Sequence, residues 1–281
     1  MTSESNPYDA IKKDQEERER LDEGYRFFKK HARNNRIIYD EAVTLPDDAV
    51  VLDVATGAGS WILDLAQVVS PSVSIYGVDI SMTYFPSIHS SKNQNITLSE
   101  HSCTSLPEDW ANKFDLVNQT LLAASLTGDD WIADIRELYR VTKPGGHVQL
   151  YEPTCASWDC PLESANSRMR ALFTALYQKH SLIHDVGEKI SRILAETGFV
   201  DVCERMSTYP VNAVKNESGK QGADLTIRWL RQLQPSIMRH SGFGIVKSDE
   251  DFNNLLEEMQ REWNSSVPYK SFVMLWARKP N

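Results

Sequence analysis

Ala49-Val50-Val51-Leu52-Asp53-Val54-Ala55-Thr56-Gly57-Ala58-Gly59 decides the fold of this chain. The stretch begins as a short, nearly continuous apolar run and then breaks into two closely spaced glycines. Such a run marks a strand buried on both faces, as in a parallel sheet covered by helices. Glycine lets the backbone turn sharply and approach a ligand where a side chain would clash. The next residues, SWILDLAQVV (60–69), read as a helix. A strand, a glycine turn and a helix in this order place the turn at the carboxyl edge of an open α/β sheet. Ligands bind at that edge, where the strand order reverses.

The alternation continues outward from this point. SVSIYGVDI (72–80), NITLSEH (95–101) and KFDLVNQT (113–120) read as strands. DDWIADIRELYRVTK (129–143) reads as a helix whose acidic start suits the positive end of its dipole, with Pro144-Gly145-Gly146 as the stop. GHVQLYEPT (146–154) is a fifth strand. Helices follow at 162–179 and 186–199, the second closed by Gly198. A strand at 201–211, a polar loop at 212–222 with two glycines, helices at 225–239 and 249–263, and a last strand at 269–279 complete the chain. Upstream, Asp14 to about Val43 reads as helix, with Leu21, Tyr25, Phe28 and Ala32 on one face. Regular strand–helix alternation predicts a mostly parallel sheet with helices on both faces.

Composition narrows the function. The 281 residues are 41% apolar and 25% charged, with a formal net charge of −9. An acidic chain is a poor match for a nucleic-acid backbone, whose binding depends on Lys and Arg neutralising phosphates. Cys103, Cys155, Cys160 and Cys203 form no CxxC pair, and no His stands at zinc spacing, so reduced thiols and no metal are expected. The polar N-terminus lacks the apolar segment of a signal peptide, and no apolar run is long enough to span a bilayer. The expected setting is cytoplasmic, with the nucleus also open, and without a membrane.

Asp79 ends the second strand, where a carboxylate can accept both hydroxyls of a ribose. Dinucleotide enzymes and enzymes using S-adenosylmethionine share this device, so the glycine turn and Asp79 together indicate an adenosine-type ligand. Two residues separate the alternatives. The dinucleotide fingerprint wants a third glycine where Ile62 stands. Asp53, just before the turn, would repel a pyrophosphate but suits a ligand carrying an ammonium and a sulfonium.

Four segments in order now carry a family resemblance. VLDVATGAG resembles the first motif of class I S-adenosylmethionine-dependent methyltransferases, with Ala55 in place of its first glycine. IYGVDIS is similar to their ribose-binding motif, FDLVNQTLLAAS to their fourth-strand motif, and ELYRVTKPGGHVQL to the segment entering their fifth strand. The resemblance implies a Rossmann-like, seven-stranded, mostly parallel sheet with a reversed last strand, an N-terminal helical lid over residues 1–45, and helical insertions around 155–182 and 212–265 in a domain spanning 46–281. It also implies S-adenosyl-L-methionine as cofactor, with S-adenosyl-L-homocysteine as product. Within the class, EERERLDEGYRFF and the Trp61 of GAGSW resemble the fungal LaeA-type methyltransferases, although Gly24-Tyr25 stands where that family has Gln-His.

The resemblance places Asp53, Ala55, Gly57, Gly59 and Trp61 at the cofactor loop, Asp79 on the ribose and Ile80 on the adenine. Cys103 or Thr104 would meet the adenine amine. Asn118 and Gln119 end the fourth strand beside the methyl-transfer point, as cofactor contacts or as groups satisfying the strand end. Glu152 is a general base or a solvated carboxylate. Tyr25, Phe28 and His31 face the substrate from the lid or pack in the core. His180 and His184 are candidate proton acceptors or surface residues between two helices, since an unperturbed His titrates near pH ~6.5. Three functions follow from these residues. One is methyl transfer to an O, N or S atom of a small molecule of secondary metabolism. Another is a LaeA-like regulatory protein with a protein partner, and the third is a dinucleotide oxidoreductase.

Overall fold

The computed structural model describes residues 13–86, 94–154, 161–184, 186–265 and 269–281, together with Pro7 and Ile11. Cys155 and Cys160 lie outside the described residues; Cys103 and Cys203 are free thiols. Seven strands form one sheet: β1 (Val50–Val54), β2 (Ser74–Asp79), β3 (Ile96–Glu100), β4 (Phe114–Thr120), β5 (Thr142–Pro153), β6 (Val200–Pro210) and β7 (Tyr269–Arg278). Their spatial order is β3-β2-β1-β4-β5-β7-β6. The pairings among the first five are parallel, and β7 runs antiparallel to both β5 and β6. This is the expected Rossmann-like sheet with its reversed last strand. The order reverses at β1, so the residues leaving β1 and β4 border a crevice at the carboxyl edge.

Helices α2 (Ser60–Leu65), α3 (Gly128–Val141) and α5 (Val186–Thr197) follow β1, β4 and the inserted helix α4 (Ala165–Lys179) in turn. Helix α1 (Gln15–His31) precedes the sheet, and α6 (Glu217–Arg239) and α7 (Asp249–Ser265) come between β6 and β7. One core cluster joins Trp131, Ile135 and Leu138 of α3 and Ile190 and Leu194 of α5 to the strands. Another joins α1, α4, α6 and α7 to Tyr151, Tyr209, Phe272 and Met274. The sheet is therefore covered on both faces, which explains the apolar runs of β1 and β4.

Three expected boundaries move, each for a local reason. The first helix ends at His31 rather than near Val43, because the chain beyond it is drawn onto the sheet: Gln149 Nε2 donates to the Ile37 carbonyl at 2.9 Å and its Oε1 accepts from Tyr39 N at 3.0 Å. Pro144-Gly145-Gly146 does stop α3, but the stop lies inside β5, which begins at Thr142. The glycines of the expected loop at 212–222 belong to α6, which starts at Glu217 under an Asn216 cap. A Cβ on Gly219 would lie 1.9 Å from the Asn212 carbonyl oxygen, and one on Gly222 2.0 Å from that of Pro210. Close approach of the helix to the end of β6, rather than a turn, requires them.

Candidate cofactor and active site

The loop leaving β1 is built on alternating left-handed residues: Ala55 (φ 57°), Gly57 (φ 51°) and Gly59 (φ 75°). Ala55 pays a steric penalty that glycine would not, on the order of 1 kcal/mol. The loop is tied on both sides. Thr56 N donates to the Val78 carbonyl at 2.9 Å, Thr56 Oγ1 to Asp53 at 2.7 Å, and Gly57 N to Asp79 Oδ2 at 2.9 Å. Asp79 Oδ1 also accepts from Ser81 N at 3.2 Å. Burial raises the Asp79 carboxyl above its usual range, opposed by these N–H donors. Beside it Ile80 and Met82 are 71% and 59% exposed, an apolar shelf next to a carboxylate.

Register carries a second feature across the sheet. Asp53, Asn118 and Gln149 are paired neighbours on β1, β4 and β5. Asn118 Nδ2 donates to Asp53 Oδ1 at 2.7 Å, and Gln149 Nε2 to Asn118 Oδ1 at 2.7 Å. All three are buried. Burial pushes the Asp53 carboxyl up to about 7 against the pull of Thr56 and Asn118. Gln149 escaped the sequence reading because its role depends on register and on residues 37–39, which no local motif announces.

Helix α1 lies over this edge. Leu21 sits above Gly57, with its Cδ1 3.8 Å from where a Cβ there would be, and Ser60 Oγ donates to Asp22. Tyr25 Oη donates to Asp64 of α2 at 2.6 Å, which with burial holds the phenol protonated. Phe28 packs on Tyr151, Tyr209 and Phe272, with ring centroids 4.8–6.3 Å away. His31 lies against Phe27, and partial burial and Lys30 lower its pKa.

Other candidate residues fall elsewhere. Trp61 is 4% exposed and donates its indole N–H to the Ile37 carbonyl at 3.1 Å, so it anchors the segment after α1 instead of facing the crevice. Cys103 turns inward to Asp134 of α3, and burial pushes its thiol up; Thr104 remains half-buried, bonded to Ser102. Gln119 points to the opposite face from Asn118, by strand alternation, and donates to Asp134 at 2.8 Å. Glu152 is wholly buried and accepts from Leu122 N and Ala123 N, both at 2.9 Å. Burial raises it to about 8, and both oxygens are spent holding the loop after β4; it is not a solvated carboxylate. His184 Nε2 meets Thr174 Oγ1 of α4 at 2.9 Å, and the His180 ring lies 5.7 Å from that of His240 at the end of α6. Both histidines thus belong to the packing of the inserted helices.

The glycine cradle, the carboxylate of Asp79 and the apolar shelf of Ile80 and Met82 fit an adenosine ligand. The buried carboxylate of Asp53 beside the same loop fits a ligand with a cationic end. Among the described residues no group of His, Cys, Asp and Glu is arranged to hold a metal, and no helix is long and apolar enough to cross a membrane.

The fold is that of Rossmann-like methyltransferases. Residues 51–146 match the family described as "Methyltransferase domain". The chain is an S-adenosylmethionine-dependent methyltransferase, and S-adenosylmethionine is its cofactor. Its relatives include the N-methyltransferase tcpN of Claviceps purpurea, 26% identical over 79% of this chain and 82% of that protein. The N-methyltransferase sirN of Leptosphaeria maculans is 28% identical over 82% and 81%. In fold the chain is similar to phosphoethanolamine N-methyltransferase 2 of Haemonchus contortus, solved with S-adenosyl-L-methionine (TM-score 0.52, 15% identity, 89% of this chain and 52% of that one).

Proposed function

We propose that this enzyme methylates a nitrogen of a small, largely apolar molecule, as a step in building a secondary metabolite. The observation carrying this reading is the state of the carboxylates near the strand ends. Asp53, Asp134 and Glu152 are buried, accept hydrogen bonds from protein donors, and are raised to about 7, 7 and 8. Asp53 and Glu152 have both oxygens committed to protein donors and Asp134 lies buried inside α3, so none is presented to an acceptor, and a nitrogen bringing its own lone pair fits best. The names of the fungal relatives support nitrogen.

When bound, the cofactor supplies a methyl group already activated by a sulfonium. The chain's own residues hold and orient. Gly57 and Gly59 admit the ligand to the backbone, Asp79 takes the ribose, Ile80 backs the adenine, and Thr104 meets the adenine edge. Asp53, fixed by Thr56 and Asn118, faces the cationic end. Residues 1–45 act as the lid, with Tyr25, Phe28 and His31 on the acceptor side, and the helices around 155–182 and 212–265 wall the acceptor pocket. Positioning of this kind can contribute roughly 7–11 kcal/mol to barrier lowering. The LaeA-type likeness of residues 16–28 is read as likeness of this lid, whose contacts go to the glycine loop and the aromatic cluster.

The test is incubation with methyl-labelled cofactor and matched panels of apolar amines, amides, phenols and thiols, read by mass spectrometry. Label on nitrogen alone is expected. Label on oxygen or sulfur in preference to nitrogen refutes the acceptor; no label anywhere refutes the small-molecule reading.

A further inference from the structure

Arg33 follows the last turn of α1 and is 3% exposed. Its guanidinium lies between two aromatic faces, 4.8 Å from the Tyr25 ring centroid and 5.1 Å from that of Tyr151. Its polar contacts are long and neutral: Nη1 donates to Tyr39 Oη and Nη2 to the Tyr25 carbonyl, both at 3.3 Å. Nε has no partner among the described residues. A permanently charged group so buried, without an anion bonded to it, is costly to hold. Folds keep such a group where an anion arrives.

The position says which anion. Arg33 donates to Tyr39, whose N–H is held by Gln149 at the end of the Asp53–Asn118–Gln149 row, and Tyr151, on which its guanidinium rests, stands two residues from Gln149 on the same face of β5. An amino-acid zwitterion has an ammonium and a carboxylate on one carbon. Asp53 suits the first and Arg33 the second. We infer that Arg33 binds the methionine carboxylate of the cofactor, its planar fork held ready between Tyr25 and Tyr151. The lid then contributes a ligand contact, and cofactor binding tethers the end of α1 to the sheet. The inference rests on the cofactor being S-adenosylmethionine and is independent of the acceptor.

The test is calorimetric titration of wild type and Arg33→Met with S-adenosylhomocysteine and with its decarboxylated analogue, which keeps the ammonium and loses the carboxylate. Arg33→Met is expected to weaken S-adenosylhomocysteine about tenfold or more and to leave the analogue within about twofold of wild type. Equal weakening of both ligands means a merely structural Arg33 and overturns the inference, as does unchanged S-adenosylhomocysteine affinity. Wild type that binds neither ligand overturns the cofactor reading itself. Should Arg33→Met not fold, arginine side-chain NMR on wild type, assigned with Arg33→Lys, decides. The Arg33 Nε–H resonance must move with S-adenosylhomocysteine and stay with the analogue; a resonance that ignores both refutes the contact.

Discussion

Replacing Asp134 by Asn should stabilise the protein, and only above mildly acidic pH. Asp134 is fully buried in α3 and accepts from Gln119 Nε2 at 2.8 Å and from the Cys103 thiol. Burial raises its pKa from 3.8 to about 7. A folded-state pKa above the unfolded value means the folded state holds the proton more tightly. Its contribution is therefore most favourable below the unfolded pKa and declines as pH rises from about 4 to about 7. The full shift converts to about 4 kcal/mol at 1.36 kcal/mol per unit, and half of that, about 2 kcal/mol, is a fair expectation for a site that can relax. Asn has the same shape, keeps an acceptor and carries no charge. Its added donor finds Gln119 Oε1, which has no partner among the described residues. At pH 8 the Asp134→Asn protein should melt roughly 4–8 °C above wild type, and near pH 4 the two should coincide. Thermal melts by circular dichroism across that range make the comparison. A variant no more stable at pH 8, or a gain of the same size at every pH, refutes the account of Asp134 as a buried, reluctantly ionised acid.

Three further outcomes are expected. Asp79→Ala removes the acceptor for Gly57 N and Ser81 N along with the ribose contact proposed for it, and should weaken S-adenosylhomocysteine by about tenfold or more in a calorimetric titration. Gly222→Ala drives a Cβ against the Pro210 carbonyl, and chemical denaturation should show a loss of about 1–3 kcal/mol or more as α6 is pushed from β6. Glu152→Gln turns an amide nitrogen toward the Leu122 or Ala123 N–H. It should cost about 1–3 kcal/mol of stability in the same assay, while the pH–rate profile keeps its shape; a lost acidic limb would restore Glu152 as a proton acceptor.

Much of the architecture was legible from the chain alone. The buried run at 49–55, the glycine turn and Asp79 are local signals: a strand covered on both faces must be apolar throughout, and a backbone that bends under a ligand must shed side chains. These residues sit where the sequence put them, with Gly57 N bonded to Asp79. The family resemblance implied the reversed strand that closes the sheet, as β7 does between β5 and β6. What stayed hidden depended on contacts across long chain separations. Trp61 looked like a ligand residue because it neighbours the loop, but its indole reaches Ile37. Glu152 looked like a base because it ends a strand, yet alternation turns it from the face of Tyr151 toward the loop at 122–123. Gly219 and Gly222 read as loop residues, whereas the approach of α6 to β6 demands them. Gln149 and Arg33 carried no local signal at all. A glutamine inside a strand becomes part of a polar row only through register with Asn118 and Asp53, and an arginine after a helix becomes a buried cation only when Tyr25, Tyr39 and Tyr151 close around it. Periodicity and turn chemistry are written residue by residue, so the sequence fixes the scaffold and the cofactor loop. Burial, and the charge states and partners that burial imposes, exist only once distant segments meet, so the tertiary structure alone decided which polar residues face the site.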